Sequence, residues 1–519
     1  MFVKPKYEYQ VRIIVIMLML LLMAFTGIVR VAALATDKSF EKYLDNFVTV
    51  QLESGRGDFL DCNGIKLTGY NKSFLNLFLP CESAKKKFFE NATEQEKKVG
   101  ENRFLNNKPA TLRRSFEISG VGVYSFEVSD RYENDLALQH IIGYVNSENN
   151  GVAGLEKCFN EKIKGEEPLT ASFNINALGE YLIGAKPILN PPTGQKNIKL
   201  TIDRKIQEIV ADSMKEVSKG AAVVTEISTG KIKAMVSKPL YDVDNIAKYL
   251  NEENSPFINR AINCYSPGSV FKPIIAAALI ENSFKDFTHN CTGVTDISGL
   301  AFHCYNRAGH GELDMSEAIY HSCNCYFYNA IGLIKPISYL NLTTSLMFTT
   351  PIKLADNLFS FSGSMPTESS LNNSAVAANF SIGQGSVLVS PLAMCNLYSA
   401  IANEGAYYIP SLLEDEPGEK CFVMSKGTAA ELKEYLSYVV SFGTGKKANP
   451  DNTTAAGKTA TAQTGVIKNE IELNNVWFCG FFPKEKPKYS VTVFIEDAVS
   501  GGDEAAPVFK AIADGIYLP

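Results

Sequence analysis

Ser269 and Lys272 are the two residues whose types and spacing most directly suggest chemistry in this chain. They follow Pro267 and Gly268, which favour a turn, and precede an apolar run, 274–280, which predicts a buried helix. Ser269 is therefore expected at a helix N-terminus, with Lys272 one turn later on the same face. A serine hydroxyl is a weak nucleophile without a base, and a lysine held in its neutral form could supply one.

Two further groups of polar residues follow in the chain. Ser322 and Asn324 are two positions apart, on a predicted turn between helices where a hydroxyl and an amide can face one cleft. Lys458, Thr459 and Ala460 lie among small and β-branched residues, which is typical of a strand whose backbone approaches a ligand. Taken singly, these groups also fit a capping serine with a solvated lysine, a polar loop and an edge strand. Together and in this order they indicate one site.

The three groups resemble the Ser-x-x-Lys, Ser-x-Asn and Lys-Thr-Gly motifs of penicillin-binding proteins and serine β-lactamases. The context of Ser269, Pro-Gly-Ser-x-Phe-Lys-Pro, is similar to that of the class B penicillin-binding proteins. The same is true of Gly383-Gln-Gly385, Gly443-Thr-Gly445 and Trp477-Phe-Cys-Gly480. The resemblance covers about residues 40 to 515, and its motifs are specific jointly rather than singly.

The chain departs from the family pattern at three positions. Ala460 stands where the family usually has glycine, so that a methyl group lies on the strand expected to admit the substrate. Val270 replaces the commoner threonine, and Cys62 replaces the usual arginine of an N-terminal motif. The first departure bears on the rate of reaction and on the affinity for β-lactams more than on the reaction class.

The resemblance implies a D,D-transpeptidase that cross-links peptidoglycan stem peptides ending in D-Ala-D-Ala and is trapped by β-lactams. It implies no cofactor and no metal. The implied catalytic residues are Ser269 as nucleophile, Lys272 as its base, Ser322 as proton donor to the leaving amine, Asn324 as the group that holds Lys272 and the substrate amide, and Lys458.

The same resemblance assigns substrate binding to the strand that carries Lys458. Lys458 and Thr459 suit the terminal carboxylate of the substrate, with Ala460 alongside. The backbone N–H groups of Ser269 and Thr461 are the implied oxyanion donors. Burial and the charge of Lys458 are expected to keep the Lys272 amine neutral near pH 7. The implied protein partner is a membrane lipid-II polymerase of the shape, division or sporulation family.

Two other functions remain open at the level of sequence. A β-lactam sensor or a hydrolase would use the same nucleophile, although a hydrolase also needs a base that activates water for deacylation. A catalytically silent scaffold for wall synthesis is favoured only by Ala460.

Composition sets broad limits on the chain. Its 519 residues suggest two or more domains, and the net charge of −6 with no long basic run gives no indication of nucleic-acid binding. Residues 13 to 29 are predominantly apolar, a length at the lower limit, about 17, for a membrane span. Lys4, Lys6 and Arg12 precede the run and predict a cytoplasmic N-terminus, with the rest of the chain outside the cell membrane. The alternative is a signal peptide cleaved after Ala33-Leu-Ala35.

The predicted organisation has three parts and an α+β fold. Residues 1–36 form a cytoplasmic tail and membrane anchor, 37–195 a mixed pedestal domain, and 196–519 a transpeptidase domain with an antiparallel sheet flanked by helices. A hairpin is predicted at 221–237, and three closing strands are predicted near 455–463, 475–482 and 489–496.

The eleven cysteines leave at least one thiol unpaired. Cys291 and Cys304 flank a glycine-containing turn and could form a disulfide. Cys291, His303, Cys304 and His310 form a loose group, but their spacing matches no standard zinc pattern, so no metal is predicted.

Overall fold

The computed structural model describes the chain from residue 7 to 518, apart from 37–46, 133–135, 177, 244, 417 and 469–470. Tertiary contacts group the chain into two compact units. The first comprises 1–55, 72–128 and 166–193, and the second comprises 56–71, 129–165 and 194–519. The predicted boundaries at 36 and 195 divide the chain into continuous segments, whereas each of these units consists of three separate segments of the chain. The boundaries stay predictions.

The N-terminal helix runs from Tyr7 to Thr36, and its segment Tyr9–Ala33 is long and apolar enough to cross a membrane. The apolar run at 13–29 lies inside this segment. A helix satisfies its backbone N–H and C=O groups internally, as a hydrocarbon environment requires. The helix therefore fits a single-pass membrane anchor. Lys4 and Lys6, on which the predicted orientation depends, lie outside the described residues.

Besides the N-terminal helix, the described residues of the first unit form two three-stranded sheets and two helices. One sheet has the order Phe47–Glu53, Leu169–Asn174, Ile188–Asn190, and the other the order Ala110–Arg114, Lys72–Phe78, Val123–Ser129. The helices are Glu82–Asn91 and Glu94–Leu105. Phe88 contacts Phe78 and Phe104 edge to face, with ring centroids 5.4 and 5.3 Å apart, so that an aromatic group joins helices and sheet.

The second unit is built on a five-stranded antiparallel sheet. Its strands are β1 (Gly220–Glu226), β2 (Ile232–Lys238), β3 (Ala456–Lys468), β4 (Ile471–Phe482) and β5 (Tyr489–Ala498), arranged in space as β2-β1-β5-β4-β3. The predicted hairpin and the three closing strands are confirmed, although β3 and β4 extend further toward their common turn than predicted. Because β3 forms an edge, one side of its backbone is available to a ligand.

Alternation of side chains gives this sheet two buried faces. Ala221 and Val223 lie on the face that shares a core with the helices Lys272–Glu281, Pro391–Ala402 and Lys426–Ser441. Ala222 and Val224 lie on the opposite face, whose core includes the helices Arg204–Ser213 and Ala506–Ile516. This three-layer unit, together with the mixed first unit, confirms the predicted α+β class.

The remaining elements of the second unit are short. The α-helices are Gln139–Ile142, Gly154–Cys158, Asn160–Ile163, Met315–Tyr320, Asn324–Ala330, Pro336–Ser345 and Ser374–Ser381. The 3₁₀ turns are Ile246–Tyr249, Gly268–Phe271, Ile331–Leu333, Ser370–Asn372 and Lys446–Ala448, and Gly501–Ala505 is a π turn. The two-stranded sheets pair Phe59–Leu60 with Ile198–Lys199, His289–Cys291 with Gly311–Leu313, Val294–Ile297 with Leu300–His303, Lys353–Ala355 with Leu358–Phe359, and Ala406–Tyr408 with Lys420–Phe422.

Arg56 is anchored in the second unit by a buried carboxylate. Its Nε donates to Glu156 Oε2 at 2.6 Å, and both side chains are fully buried. Arg131 Nε reaches the other oxygen of the same carboxylate at 2.6 Å. Because a buried charge is costly without its partner, these contacts tie residues 56, 131 and 156 into one folded unit.

Candidate active site

Ser269 lies in a 3₁₀ turn, Gly268–Phe271, that leads directly into the Lys272–Glu281 helix. In a 3₁₀ helix residues i and i+3 eclipse one another, so Ser269 and Lys272 project from the same side of the turn. The Lys272 N–H donates to the Ser269 carbonyl, which closes the turn. The Ser269 side chain is partly exposed, whereas Lys272 is fully buried. The predicted placement of both residues at a helix start is confirmed.

The turn that carries Ser269 is fixed by glycines and by the sheet. Gly268 has a φ of +58°, and its N–H donates to the Gly383 carbonyl at 3.0 Å. A Cβ on Gly383 would lie 2.4 Å from the Gly268 carbonyl oxygen, so only glycine fits this approach. Trp477 on β4 donates its indole N–H to the Ser266 carbonyl at 3.1 Å. These contacts explain why the Gly-Gln-Gly and Trp-Phe-Cys-Gly segments accompany the nucleophile motif.

The hydrogen-bond acceptors of the Lys272 amine are uncharged groups. It donates to the Ser322 carbonyl at 2.7 Å, to Ser322 Oγ at 3.2 Å and to Asn324 Oδ1 at 2.8 Å. The ring centroid of Phe327 lies 5.5 Å from Nζ. Burial lowers the pKa of Lys272 to about 8, against an opposing effect of the Cys323, Cys304 and Cys325 sulfurs, so a substantial fraction of the amine is neutral near pH 8.

Ser322 lies in the predicted turn between two helices, Met315–Tyr320 and Asn324–Ala330, and Asn324 begins the second helix. Ser322 has a φ of +56°, in the left-handed region that follows many helix C-termini. A non-glycine residue in this conformation costs roughly 1 kcal/mol or more. The conformation turns both the carbonyl and the hydroxyl of Ser322 toward Lys272, which accounts for a serine at this strained position.

Lys458 lies on β3 and is a second fully buried amine. Its Nζ donates to the Thr459 carbonyl at 3.0 Å. Burial, and after it the charge of Lys272, holds the pKa of Lys458 well below its usual range. The expected effect of burial on the pKa of Lys272 is confirmed, whereas the charge of Lys458 is not among its main causes.

Thr459 and Thr461 alternate with Lys458 and Ala460 along β3, so the two pairs project from opposite sides of the strand. Thr459 Oγ1 lies 2.7 Å from Thr444 Oγ1, which belongs to the Gly443-Thr-Gly445 segment. The Gly501 N–H donates to Thr461 Oγ1 at 3.3 Å, and this joins the loop after β5 to the edge strand.

The methyl group of Ala460 is directed toward the nucleophile turn. Ala460 is 3% exposed, and a Cβ built on Gly268 would lie 3.4 Å from the Ala460 Cβ and 3.1 Å from the Ala462 Cβ. Small residues on β3 therefore face a glycine on the turn, and the strand and the turn approach closely. Of the two positions open to this methyl group, crowding the substrate or packing beneath the strand, the contact with the turn favours the second.

These elements enclose a cleft of about 610 Å³. It is lined by Ser269, Tyr305, Ser322, Asn324, Thr444, Lys446, Lys447, Thr459, Ala460, Thr461, Val499, Ser500, Gly502 and Asp503. Of the eight site residues predicted from sequence, six line the cleft, and Lys272 and Lys458 lie buried below it. Sequence reasoning missed Thr444 and Tyr305. The Gly443-Thr-Gly445 pattern could have indicated the first, whereas no pattern marks the second.

A cluster of thiols and one imidazole lies behind the Ser322–Asn324 turn. The ligand atoms of Cys291, Cys304, His310 and Cys323 all lie within 4.8 Å of one another. His310 Nδ1 is 3.5 Å from Cys291 Sγ and 3.7 Å from Cys304 Sγ, and the Cys304 and Cys323 sulfurs are 4.0 Å apart. The three cysteines are buried free thiols, so the suggested Cys291–Cys304 disulfide is not formed.

The donor set of this cluster fits a structural Zn²⁺ site. With bonds of about 2.3 Å to sulfur and 2.0 Å to nitrogen, a tetrahedral site places its ligand atoms about 3.5–3.8 Å apart. The Asn324 N–H donates to Cys304 Sγ at 3.4 Å, and Tyr305 Oη lies 3.4 Å from His310 Nε2; both are typical supporting contacts of metal ligands. The sequence pattern included His303, which lies outside the cluster, and omitted Cys323, which belongs to it.

The chain matches the model of a known protein family. The model of the penicillin-binding protein transpeptidase domain matches residues 220–514. Stage V sporulation protein D of Bacillus subtilis is 28% identical, with 88% of this chain and 77% of the relative covered. Peptidoglycan D,D-transpeptidase MrdA of Haemophilus influenzae is 25% identical, with 95% and 90% covered.

Solved structures share the fold. Penicillin-binding protein PBP2 in its complex with MreC from Helicobacter pylori superposes with a TM-score of 0.67 at 21% identity, covering 91% of this chain and 99% of that one. The D,D-transpeptidase domain of a peptidoglycan glycosyltransferase from Eggerthella lenta gives 0.65 at 22% identity, covering 90% and 98%.

The thiol–imidazole cluster can be tested by metal analysis. We expect the full-length chain, purified in detergent with reductant, to bind one Zn²⁺ per chain by plasma mass spectrometry, because three sulfurs and one imidazole nitrogen lie within 4.8 Å of one another. Cys323→Ser should lower the stoichiometry well below one. Cys81→Ser, at the N-terminus of a helix in the first unit, is the matched control and should leave it unchanged. Zinc content that is absent, or unaffected by Cys323→Ser, would contradict this assignment.

Proposed function

We propose that this chain, which belongs to the penicillin-binding protein transpeptidase family, is a class B peptidoglycan D,D-transpeptidase that works through an acyl-enzyme on Ser269. The observation that carries the proposal is the Lys272 amine. It is buried, partly neutral near pH 8, projects from the same side of its turn as Ser269, and contacts Ser322 and Asn324. Such an arrangement suits activation of a serine better than structural packing, because a buried amine otherwise only costs stability.

Acylation needs a path for one proton. In the proposed step Ser269 Oγ attacks the carbonyl of the penultimate D-Ala and transfers its proton to the neutral Lys272 amine. The resulting ammonium donates to Ser322 Oγ, at the 3.2 Å contact already present. Ser322 passes its own proton to the departing D-Ala amine. The C–N bond breaks, an ester forms on Ser269, and Lys272 returns to its neutral form.

Other residues of the cleft are suited to bind the substrate during this reaction. Asn324 is suited to hold the substrate amide as well as Lys272. Thr459, with Thr444 at 2.7 Å, presents hydroxyls for the terminal carboxylate, and the negative charge of that carboxylate would favour the ammonium form of the buried Lys458. The N–H groups of Ser269 and Thr461 are the proposed oxyanion donors, each worth about 3 kcal/mol.

The second half of the reaction forms the cross-link. The amine of a second stem peptide attacks the acyl-enzyme ester, Ser269 leaves with a proton, and a new amide joins the two stems. A β-lactam would acylate Ser269 by opening its ring, and because its leaving group stays attached to the acyl fragment, the adduct would block the acceptor. This is the basis of the proposed penicillin sensitivity.

The cellular setting follows from the anchor helix and the relatives. We infer that the apolar helix holds the chain in the cell membrane with the second unit on the outer side, where peptidoglycan is assembled. The Helicobacter pylori structural neighbour was solved with MreC, and relatives are named for sporulation and as transpeptidases. A membrane lipid-II polymerase of the shape, division or sporulation family is the proposed partner.

Covalent labelling by a fluorescent penicillin tests this function against its alternatives. We expect a long-lived adduct on Ser269, absent in Ser269→Ala, with unchanged thermal unfolding of the variant. Rapid loss of label would indicate a hydrolase, and a lack of label in the wild-type chain would indicate a silent scaffold. Mass spectrometric mapping of the adduct to another residue would refute the assignment of the nucleophile.

The acylation rate should depend on the protonation of Lys272. Its folded pKa is lowered to about 8, and the neutral amine is the active base, so the rate should rise with pH through about 8 and then level off. Lys272→Arg should acylate negligibly, because a guanidinium does not lose its proton. Lys486→Arg, at an exposed position, is the control. Stopped-flow labelling over pH 6 to 10 checks this, and a flat profile would exclude Lys272 as the base.

Ala460→Gly should leave the acylation rate within about twofold of wild type. The methyl group faces Gly268 rather than the cleft, so its removal opens no space for substrate. The variant should instead unfold more readily, by about 0.5–1 kcal/mol, because glycine weakens a strand. Labelling kinetics and denaturant unfolding measure the two effects. A large gain in acylation rate would show that Ala460 crowds the substrate.

A further inference from the structure

An exposed lysine lines the cleft two residues after Thr444. Three of the lining residues carry a charge, and these are Lys446, Lys447 and Asp503. Lys447 Nζ donates to Asp503 Oδ1 at 2.7 Å, so that their two charges offset one another. Lys446 is exposed and has no ion pair within the described part of the chain. Its positive charge is therefore available to an anion in the cleft.

The fold fixes the backbone that carries this charge. Lys446 begins the 3₁₀ turn Lys446–Ala448, directly after Gly445. The Gly445 N–H donates to the Val439 carbonyl at 3.0 Å, and a Cβ on Gly445 would lie 3.3 Å from the Phe478 ring. The turn is therefore packed on a core helix and on β4, and the lysine side chain starts from a fixed point at the edge of the cleft.

The second half of the proposed reaction brings a carboxylate to this end of the cleft. The acceptor amine attacks the ester carbonyl, the C–O bond to Ser269 breaks, and a proton of the amine passes to Ser269 Oγ. This step has the form of acylation run backwards, so the entering amine takes the place that the D-Ala amine left. A substituent on the amine-bearing carbon then lies where the D-Ala carboxylate lay, at the Thr444–Thr459 hydroxyl pair.

We propose that Lys446 selects the acceptor by binding a carboxylate on the carbon that carries the attacking amine. This inference rests on the proposed function, which supplies both the acyl-enzyme and the place of the carboxylate. The acceptor class is an amine at a D-amino acid centre, as in a stem peptide built with a diaminodicarboxylic acid. The side-chain amine of a lysine-type stem has no such carboxylate and would gain nothing from Lys446.

The test measures how the acyl-enzyme divides between transfer and hydrolysis. The full-length chain in detergent receives the thioester donor N-benzoyl-D-alanylthioglycolate together with D-alanine or D-alaninamide, two acceptors that differ only at the carboxyl group. The ratio of amide product to hydrolysed donor, by liquid chromatography and mass spectrometry, depends only on steps after the leaving group has departed. Each variant is compared with wild type for the same acceptor, so that differences in intrinsic amine reactivity cancel.

We expect Lys446→Gln to lower the transfer ratio for D-alanine about fivefold and that for D-alaninamide less than about twofold, as for the loss of one exposed pair of opposite charges. Lys446→Arg keeps the charge and should retain the wild-type ratio for D-alanine within about twofold. Asp503→Asn releases Lys447 from its ion pair and should raise the ratio for D-alanine. Lys486→Gln, at an exposed position outside the cleft, is the control and should change neither ratio.

The outcomes separate an error at Lys446 from an error in the proposed function. A Lys446→Gln variant that changes neither ratio, or changes both equally, would overturn the inference, as would a Lys446→Arg variant that behaves like Lys446→Gln. If the wild-type chain forms no acyl-enzyme on Ser269, or hydrolyses it without transfer to either acceptor, the proposed transpeptidase function fails instead.

Discussion

The constraint on which the proposed active site depends is that a lysine amine must be buried beside a serine without a carboxylate partner. A carboxylate in contact with Lys272 would stabilise its ammonium form and remove it as a base. The fold instead surrounds the amine with a carbonyl, a hydroxyl and an amide oxygen, which satisfy its hydrogens without fixing its charge. Burial then lowers the pKa to about 8. The uncharged acceptors and the burial of the amine therefore both favour its neutral form.

That requirement determines the backbone around the lysine. Ser322 can present two acceptors to Lys272 only in a left-handed conformation, and the strain is retained because the neighbouring helices fix the turn. On the other side, the strand with Lys458 must approach the nucleophile turn closely enough to seal the amine from water. Gly268 opposite Ala460 and Ala462 provides this approach. The glycine and alanine residues near the site therefore control the solvation of Lys272.

The sequence predicted the parts of this site that depend on local chemistry. Pro267 and Gly268 before an apolar run were sufficient to place Ser269 and Lys272 at a helix start. Alternation and turn residues were sufficient to find the strands of the sheet. Contacts between segments that are far apart in the sequence could not be predicted in this way. The pairing of Thr444 with Thr459, and the place of Tyr305 in the cleft, depend on how helices pack on the sheet.

Two features of the site could not be decided from the sequence, for related reasons. The Cys-His group was judged by linear spacing, whereas its members come from two short hairpins and from the turn after a helix, which only tertiary structure brings together. The effect of Ala460 on the substrate was judged from its place in a motif. The face of β3 that carries its methyl group is set by the register of the strand, and a shift of one residue would have exposed it.

The order of strands in the sheet also determines how late in synthesis the chain can complete its fold. β1 pairs along its whole length with β5. Residues 220–226 therefore have no strand neighbour on that side until residues 489–495 have been synthesised and have paired with them. Segments 56–71 and 129–165 belong to the same compact unit. In the proposed topology, a chain exported from its N-terminus would therefore cross most of the membrane without a closed sheet, and would acquire its cleft only near the end of export.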